Sequence, residues 1–321
     1  MGSGTTDILI LGDPWPTLDH SRDSSLHLVR AARAHYGARA HWALPENVFL
    51  QNGTLYARTE GEVVDNDLRP NGDIREFSTF HSVHWRADPP VTLSTMRLWS
   101  LLSSSGGEKG VPFVNAPTAL LTWNEKFAPM RFRDWSIPGL ASDSERVWKS
   151  FFDGNKQRAR QLVAKPTGDA ASRGVQILPV TWDAALKVLT RMRAEHGSWL
   201  VIQEFDQNLL TLGETRVFVL GNEICGAINK LPHTKHQIMN LDAPPDERPR
   251  LSVAQPTAEQ RRRAEAIAQA LAADGVYLAT IDFIGDRILE INVTSPGLIN
   301  WLDERLDAND QIARKYWRGL F

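Results

Sequence analysis

The chain has 321 residues, a formal net charge of −2, 42% hydrophobic and 23% charged residues. That length supports two or three packed subdomains around a sizeable core, and the near-zero charge argues against nucleic acid or an acidic membrane surface as partner. No apolar run approaches bilayer-spanning length, no signal peptide is visible, and the single cysteine, Cys225, forms no intrachain disulfide, so a cytoplasmic location is expected.

In chain order, Met1-Gly-Ser-Gly-Thr-Thr6 fits the loose N-myristoylation pattern, although short Gly/Ser starts are mostly flexible termini. Asp7-Ile-Leu-Ile-Leu is a continuous apolar run of the kind buried in a parallel sheet. Leu26 to His35 has helical periodicity, with Ser24 or Ser25 as its cap. Ala40-His-Trp-Ala-Leu, Val48-Phe-Leu and Thr54-Leu-Tyr-Ala follow as strands, the last two joined at Asn52-Gly53. His81 to Arg86 is a further strand, Val91 to Ser103 a helix, and Pro112-Phe-Val-Asn returns to the sheet. This alternation predicts an open α/β layer with ligands beyond the carboxyl ends of its strands, where Asp13, Arg86 and Asp88 stand.

From about Leu121 the texture changes. Asn124-Glu-Lys-Phe starts a helix, Val147-Trp-Lys-Ser-Phe-Phe belongs to another, and Gln161-Leu-Val-Ala-Lys is a strand. The turn-rich Thr167-Gly-Asp-Ala-Ala-Ser-Arg-Gly174 leads to Val175-Gln-Ile-Leu, a helix over Thr181 to Glu195 and the strand Trp199 to Phe205. Strands around Arg216-Val-Phe-Val-Leu and Ile224-Cys-Gly-Ala-Ile precede a Pro-rich, charged loop from His233 to Arg250 and a helix from Ala258 to Ala273. Eleven tryptophans, among them Trp123, Trp135, Trp148, Trp182 and Trp199, fall at scattered spacings that suit core and subdomain packing. Cys225, in a strand-like stretch, is a buried spectator thiol.

The chemistry concentrates near the C-terminus. Leu278 to Ile284, a Gly285-Asp286 turn and Arg287 to Val293 form a hairpin carrying Asp282, Glu290 and Asn292 at D-x7-E-x-N. Alternation puts Ile288, Glu290 and Asn292 on one face and Leu289, Ile291 and Val293 on the other. Three oxygen ligands on a rigid platform suit Mg²⁺; the alternative is an ordinary hairpin with its polar face in water. Lys165 ends a strand beside a Gly-containing loop and can reach a phosphate, although Lys-Pro also marks plain turns. Arg216 offers a planar fork to a carboxylate or a transferring phosphoryl group.

The segment Ile291-Asn-Val-Thr-Ser-Pro296, with an Asp eight positions before Glu290, strongly resembles the metal-binding end of ATP-grasp ligases, most closely bacterial glutathione synthetase. The resemblance recurs in order at Asp13-Pro14, Arg22-Asp23-Ser24-Ser25, Arg86-Ala-Asp-Pro-Pro90, Val114-Asn-Ala-Pro117, Asn124-Glu-Lys126, Lys165-Pro166 and Glu214-Thr-Arg216. It implies an α/β fold, α+β in its C-terminal half. An N-terminal open parallel-sheet (pre-ATP-grasp) domain spans 1–121, a small ATP-grasp subdomain 122–200, and a C-terminal subdomain with metal site and lid 201–321.

The same resemblance implies ATP and two Mg²⁺ ions as cofactors, with Mn²⁺ as a substitute, held by Asp282, Glu290 and Asn292. It gives Lys126 and Lys165 the phosphates, the hinge at Gln203, Glu204 and Phe205 the adenine, and Glu214 the ribose side. Arg216, Lys165 and Lys230 become the catalytic cations, with Lys230 standing where the family usually has arginine. Asp13, Ser24, Ser25, Arg86, Asn240, Thr294, Ser295 and Pro296 become contacts to the substrates. Those substrates are a small-molecule carboxylate and an amine, joined through an acyl phosphate, and a homo-oligomer, dimer or tetramer, is expected. Two departures matter. The Thr167–Gly174 loop and the Pro232–Asn240 lid lack the family's glycines, and Ala243-Pro-Pro-Asp-Glu-Arg-Pro is unlike the synthetase, which points to a changed acceptor. His233 and His236 either meet that acceptor or are solvated. Gly297, in place of a residue with a side chain, widens the acyl pocket.

Overall fold

The computed structural model describes residues 6–104, 110–157, 160–197, 199–241 and 243–321, so most of the Met1–Thr6 lipidation pattern lies outside the described residues. The N-terminal third builds a six-stranded sheet, in the order Asp67–Pro70, Gly61–Val64, Arg39–Ala43, Asp7–Leu11, Ser82–Trp85, Phe113–Val114. The last four are parallel, and the first two are an antiparallel addition at one edge. Asp7–Leu11 lies between Arg39–Ala43 and Ser82–Trp85, so a crevice opens where these strands end. The expected hairpin turns at Asn52 and Gly53, whose φ values of 52 and 82 are those an Asn-Gly turn needs.

The helix over Ser24–Tyr36 is capped by Asp23, whose carboxylate accepts from the Leu26 N–H at 2.8 Å. Neither Ser24 nor Ser25 is the cap; both fall in the first turn and are buried. The expected helix start at Asn124 is a turn. Its side-chain oxygen accepts from the N–H groups of Lys126 and Phe127, and Pro129 then heads a 3₁₀ helix over Ala128–Phe132.

A four-stranded antiparallel sheet follows, in the order Gly139–Ser142, Leu200–Glu204, Leu162–Pro166, Gln176–Ile177. The strand Leu200–Glu204 therefore belongs to this lobe and not beyond a division at 200/201. Helices Glu145–Lys156 and Trp182–His196 share its core of Trp148, Phe152, Leu162, Leu189 and Ile202. Trp199 is 49% exposed, contrary to its expected packing role.

The last sheet runs Arg250–Val253, Glu223–Leu231, Glu214–Leu220, Leu278–Ile284, Arg287–Asn292, all antiparallel. Helix Ala258–Ala273, started by a Thr257/Gln260 capping box, buries Ala264, Ile267, Ala268 and Leu271 against Val217, Val219, Ile281 and Phe283. Leu9, Leu11 and Trp85 of the N-terminal sheet lie in that same apolar cluster. Two sheets thus share cores, while the four-stranded lobe has its own.

Candidate active site

The front face of the last sheet is built of charge. Antiparallel register sets Lys230 opposite Glu214, Arg216 opposite Asp282, and Asp282 opposite Glu290. Arg216 grips Asp282 with both prongs, Nε to Oδ1 at 2.8 Å and Nη2 to Oδ2 at 2.7 Å. Lys230 pairs with Glu214 and lies 3.5 Å from Asp282 Oδ2. Lys126 Nζ stands 2.8 Å from Glu290 Oε1, and the Asn292 amide donates to Asp282 Oδ2 at 3.1 Å. Lys165 comes to the same place from the end of its strand in the four-stranded lobe and is itself buried.

The hairpin departs from simple alternation at one point. A β-bulge between Asp282 and Phe283 pairs Phe283 with Ile288 and leaves Leu289 as the extra residue. Ile288 consequently sits in the core with Phe283 and Ile291, while Leu289 joins Glu290 on the cleft side. The expected grouping of Ile288 with Glu290 is corrected by that single residue.

Burial and pairing decide the protonation states. Burial pushes Asp282 upward, but the charges of Arg216 and Lys230 override it and hold the carboxyl well below the usual range. Glu290 follows the same pattern, with Lys126 and Lys165 as the overriding charges. Glu214 goes the other way, to about 7, because burial and the neighbouring Asp282 outweigh Lys230. Burial lowers Lys165, whereas Lys126 is raised because Glu290 outweighs its burial. Among the described residues, no group of three or more His, Cys, Asp or Glu side chains is arranged to hold a metal. Two ionised carboxylates facing each other across a strand pair, with an amide beside them, nevertheless fit a hard cation that keeps waters and phosphate oxygens.

Three openings adjoin this face. A cleft of about 650 Å³ between the lobe and the last sheet has apolar walls from Ile137, Val163, Phe205, Met239, Ile284 and Leu289, with Lys126, Lys165 and Glu290 at its charged end. A central cavity of about 1000 Å³ contains Arg216, Lys230, Asp282, Glu290 and Asn292. A crevice of about 1470 Å³ lies at the ends of the parallel strands, lined by Asp13, Trp85, Asp88, Val91, Leu98 and Thr294. Asp88 lines both of the last two, which therefore share a wall.

The sequence matches the ATP-grasp domain of prokaryotic glutathione synthetase over residues 125–307 and the N-terminal domain of prokaryotic glutathione synthetase over 6–120. The chain belongs to this family. It is 26% identical over 313 residues to a glutathione synthetase of Thermosynechococcus vestitus, covering 92% of this chain and 94% of that one. A glutathione synthetase of Parasynechococcus marenigrum is 28% identical over 290 residues, covering 90% and 91%. The crystal structure of D-cycloserine synthetase DcsG shares the fold, with a TM-score of 0.67 at 18% identity over 98% of this chain and 100% of that one. Members of the family use ATP and a divalent metal, and this chain is an ATP-dependent carbon–nitrogen ligase. Among the described residues, no helix of the ligase is long and apolar enough to cross a membrane.

Not every expected contact of the ligase lies in a cavity wall. Ser24 accepts from the Ile299 N–H at 3.1 Å and donates to Asn300, while Ser25 accepts from Arg86 Nε at 3.0 Å. Arg86 Nη2 donates to the Pro296 carbonyl at 3.1 Å, and Ser295 Oγ donates to the Arg86 carbonyl at 3.2 Å. These residues brace the Ser295–Leu298 turn from behind, so Ser24, Ser25 and Arg86 are supports where direct contacts were expected. Asn240 is exposed, whereas Met239 and Leu241 on either side of it line the central cavity. The N–H groups of Glu204 and Phe205 donate to the Pro138 and Gln161 carbonyls at 2.9 Å, and the Glu204 carboxylate pairs with Arg160. Gln203 and Glu214 line the cleft, and Glu214 also lies opposite Lys230 on the charged face. Thr294 lines the crevice, Ser295, Pro296 and Gly297 line the central cavity, and a Cβ at Gly297 would meet nothing within 4 Å. His236 is taken by Glu247 at 2.9 Å, as is Lys235 at 2.7 Å.

Sequence reasoning missed Glu125, Arg173 and the apolar walls. Glu125 is buried against the hairpin, accepts from the Thr294 N–H at 3.2 Å, and is pushed upward by burial. Its place beside Lys126 was the available signal. Ile284, Leu289 and Met239 carried none, because an apolar residue lining a cleft has the pattern of a core residue.

Proposed function

We propose that the ligase joins a carboxylate of an amino acid or small peptide to an amine through an acyl phosphate, releasing ADP and phosphate. What supports this most is the charged face itself: Lys126, Lys165, Arg216 and Lys230 meet Asp282 and Glu290 between an apolar-walled cleft and a cavity that shares Asp88 with the crevice. In the first step a carboxylate oxygen bonds to the γ-phosphorus and the bond to ADP breaks. In the second the amine bonds to the carbonyl carbon, phosphate leaves, and the amine gives up a proton. Asp282, Glu290 and Asn292 would hold Mg²⁺, two ions in this reading with Mn²⁺ as substitute, which would neutralise charge on the phosphates. Lys126 and Lys165 bind phosphate oxygens, and Lys126 exchanges Glu290 for them when nucleotide enters. Arg216, with Lys230 behind it, faces the transferring group, so positioning and charge carry the rate without a protein nucleophile. Asp13, Thr294, Ser295 and Pro296 border the acyl substrate, and Gln203, Phe205 and Glu214 border the nucleotide.

The lid argues for an acceptor other than glycine, since Met239 and Leu241 enter the cavity from a segment tied down by Glu247. The deciding experiment is mass spectrometry of products from pooled carboxylates and amines with Mg·ATP; ADP without any amide product would sink the reading. Glutathione synthesis itself is the second reading, favoured by a match along both domains. ADP release with γ-glutamylcysteine plus glycine separates the two. Assembly as a dimer or tetramer belongs to the same reading and is tested by light scattering.

A further inference from the structure

Because the four-stranded lobe has its own core, individual bonds matter in fixing it against the six- and five-stranded sheets. Two of them converge on the Thr167–Gly174 loop. The Val91 N–H donates to the Gly168 carbonyl at 2.7 Å, and Arg173 Nη2 donates to the Pro89 carbonyl at 2.7 Å. The approach is so close that a Cβ on Gly168 would stand 2.9 Å from the Val91 carbonyl oxygen. Within the loop, Ala171 and Ser172 have φ values of 54 and 59, a left-handed conformation that residues with side chains keep only where the surroundings impose it.

The two partners of this contact face different openings. Ser172 and Arg173 line both the nucleotide-sized cleft and the central cavity. Asp88 and Pro89 line the central cavity, while Asp88, Pro90 and Val91 line the crevice. One short N-terminal segment therefore walls the crevice and holds the loop that lines the cleft.

We propose that Val91, Gly168 and Arg173 are positioning residues that couple the two substrate sites: seating the Thr167–Gly174 loop on Pro89–Val91 shapes the phosphate end of the nucleotide cleft. The inference rests on the ligase reading above and adds a dependence of nucleotide binding on the N-terminal domain. By reciprocity, an acyl substrate that orders Pro89–Val91 tightens nucleotide by the same factor as nucleotide tightens it. Closure of the loop over the phosphates then follows occupancy of the crevice, which limits ATP hydrolysis without acyl transfer.

The test uses the whole chain and Mg·AMPPNP. Among the described residues, neither Val91 nor Gly168 lines the nucleotide cleft, and Val91 lies outside the loop, so a change at Val91 reaches the nucleotide through the contact. Calorimetry should show Gly168→Ala and Val91→Pro each raising the Kd for Mg·AMPPNP by about three- to tenfold, the range expected for one lost hydrogen bond. Arg173→Lys should fall between the unaltered protein and Arg173→Ala. Mg·AMPPNP should slow amide exchange in 167–174 of the unaltered chain, and Val91→Pro should remove that protection, which a general loss of stability would not do selectively. Folded variants with unchanged Kd and unchanged protection overturn the coupling alone. Should Val91→Pro fail to fold, Gly168→Ala decides by the same criteria. An unaltered chain that binds no Mg·AMPPNP sinks the nucleotide reading and this inference with it.

Discussion

The charged face of the last sheet and the crevice of the N-terminal sheet handle polar groups in opposite ways. On the face, cation and carboxylate are already joined, as in Arg216–Asp282 and Lys126–Glu290, and a ligand must exchange partners with them. At the crevice, the brace of Ser25, Arg86 and Pro296 sits behind the wall and leaves Asp13 and Asp88 at the rim, Asp13 raised from its ordinary value by burial and Asp88 exposed. Charge near the reaction is thus prearranged in pairs, and the acyl side relies on supports for its shape.

The sharpest way to break this contrast is Glu290→Gln, which keeps shape and removes one member of a pair. ADP release should fall about a hundredfold or more; a variant that keeps most of its rate contradicts the metal role. Next comes Arg216→Met. It leaves Asp282, whose side chain is 1% exposed, with Lys230 as its remaining cation, and should cost about 3 kcal/mol in denaturant unfolding. A loss under 1 kcal/mol would show that the pairs are not the face's organising feature.

A pH series sharpens the same point. Glu214, raised in the folded protein to about 7 from an ordinary 4.5, gives stability that is full below pH 4.5 and declines as pH rises towards 7. Against Glu214→Gln, the unaltered protein should lose up to roughly 3 kcal/mol across that window, followed by melting at each pH. Parallel curves would mean that Lys230 keeps the carboxylate ionised throughout. Asp282, depressed in the folded state, acts oppositely and costs stability only as pH falls through its own lower value. The smallest effect belongs to the brace: Ser25→Ala should cost about 1 kcal/mol and raise the acyl-substrate KM more than that for ATP. Equal changes in both would detach the brace from the crevice.

Much of this was legible before any coordinates. The hairpin, its Asp282–Glu290 pairing and the two lysines follow from period-2 alternation and short motifs, which are local properties. What escaped was set by distant partners. The bulge at Leu289 shifts one residue to the other face, and alternation alone cannot reveal an inserted residue. The hinge N–H groups of Glu204 and Phe205 are claimed by Pro138 and Gln161, neither of which a strand pattern identifies. Ser24 and Ser25 were expected at a helix cap and a substrate site, but Asp23 caps the helix and turns both inward.

The separate core of the four-stranded lobe has a consequence for how the ligase comes apart. Such a unit can open on its own free energy while the two sheets that share cores stay closed. Under native conditions its amides therefore report a local foldon, and a protease that nicks the lobe would leave the remaining framework standing.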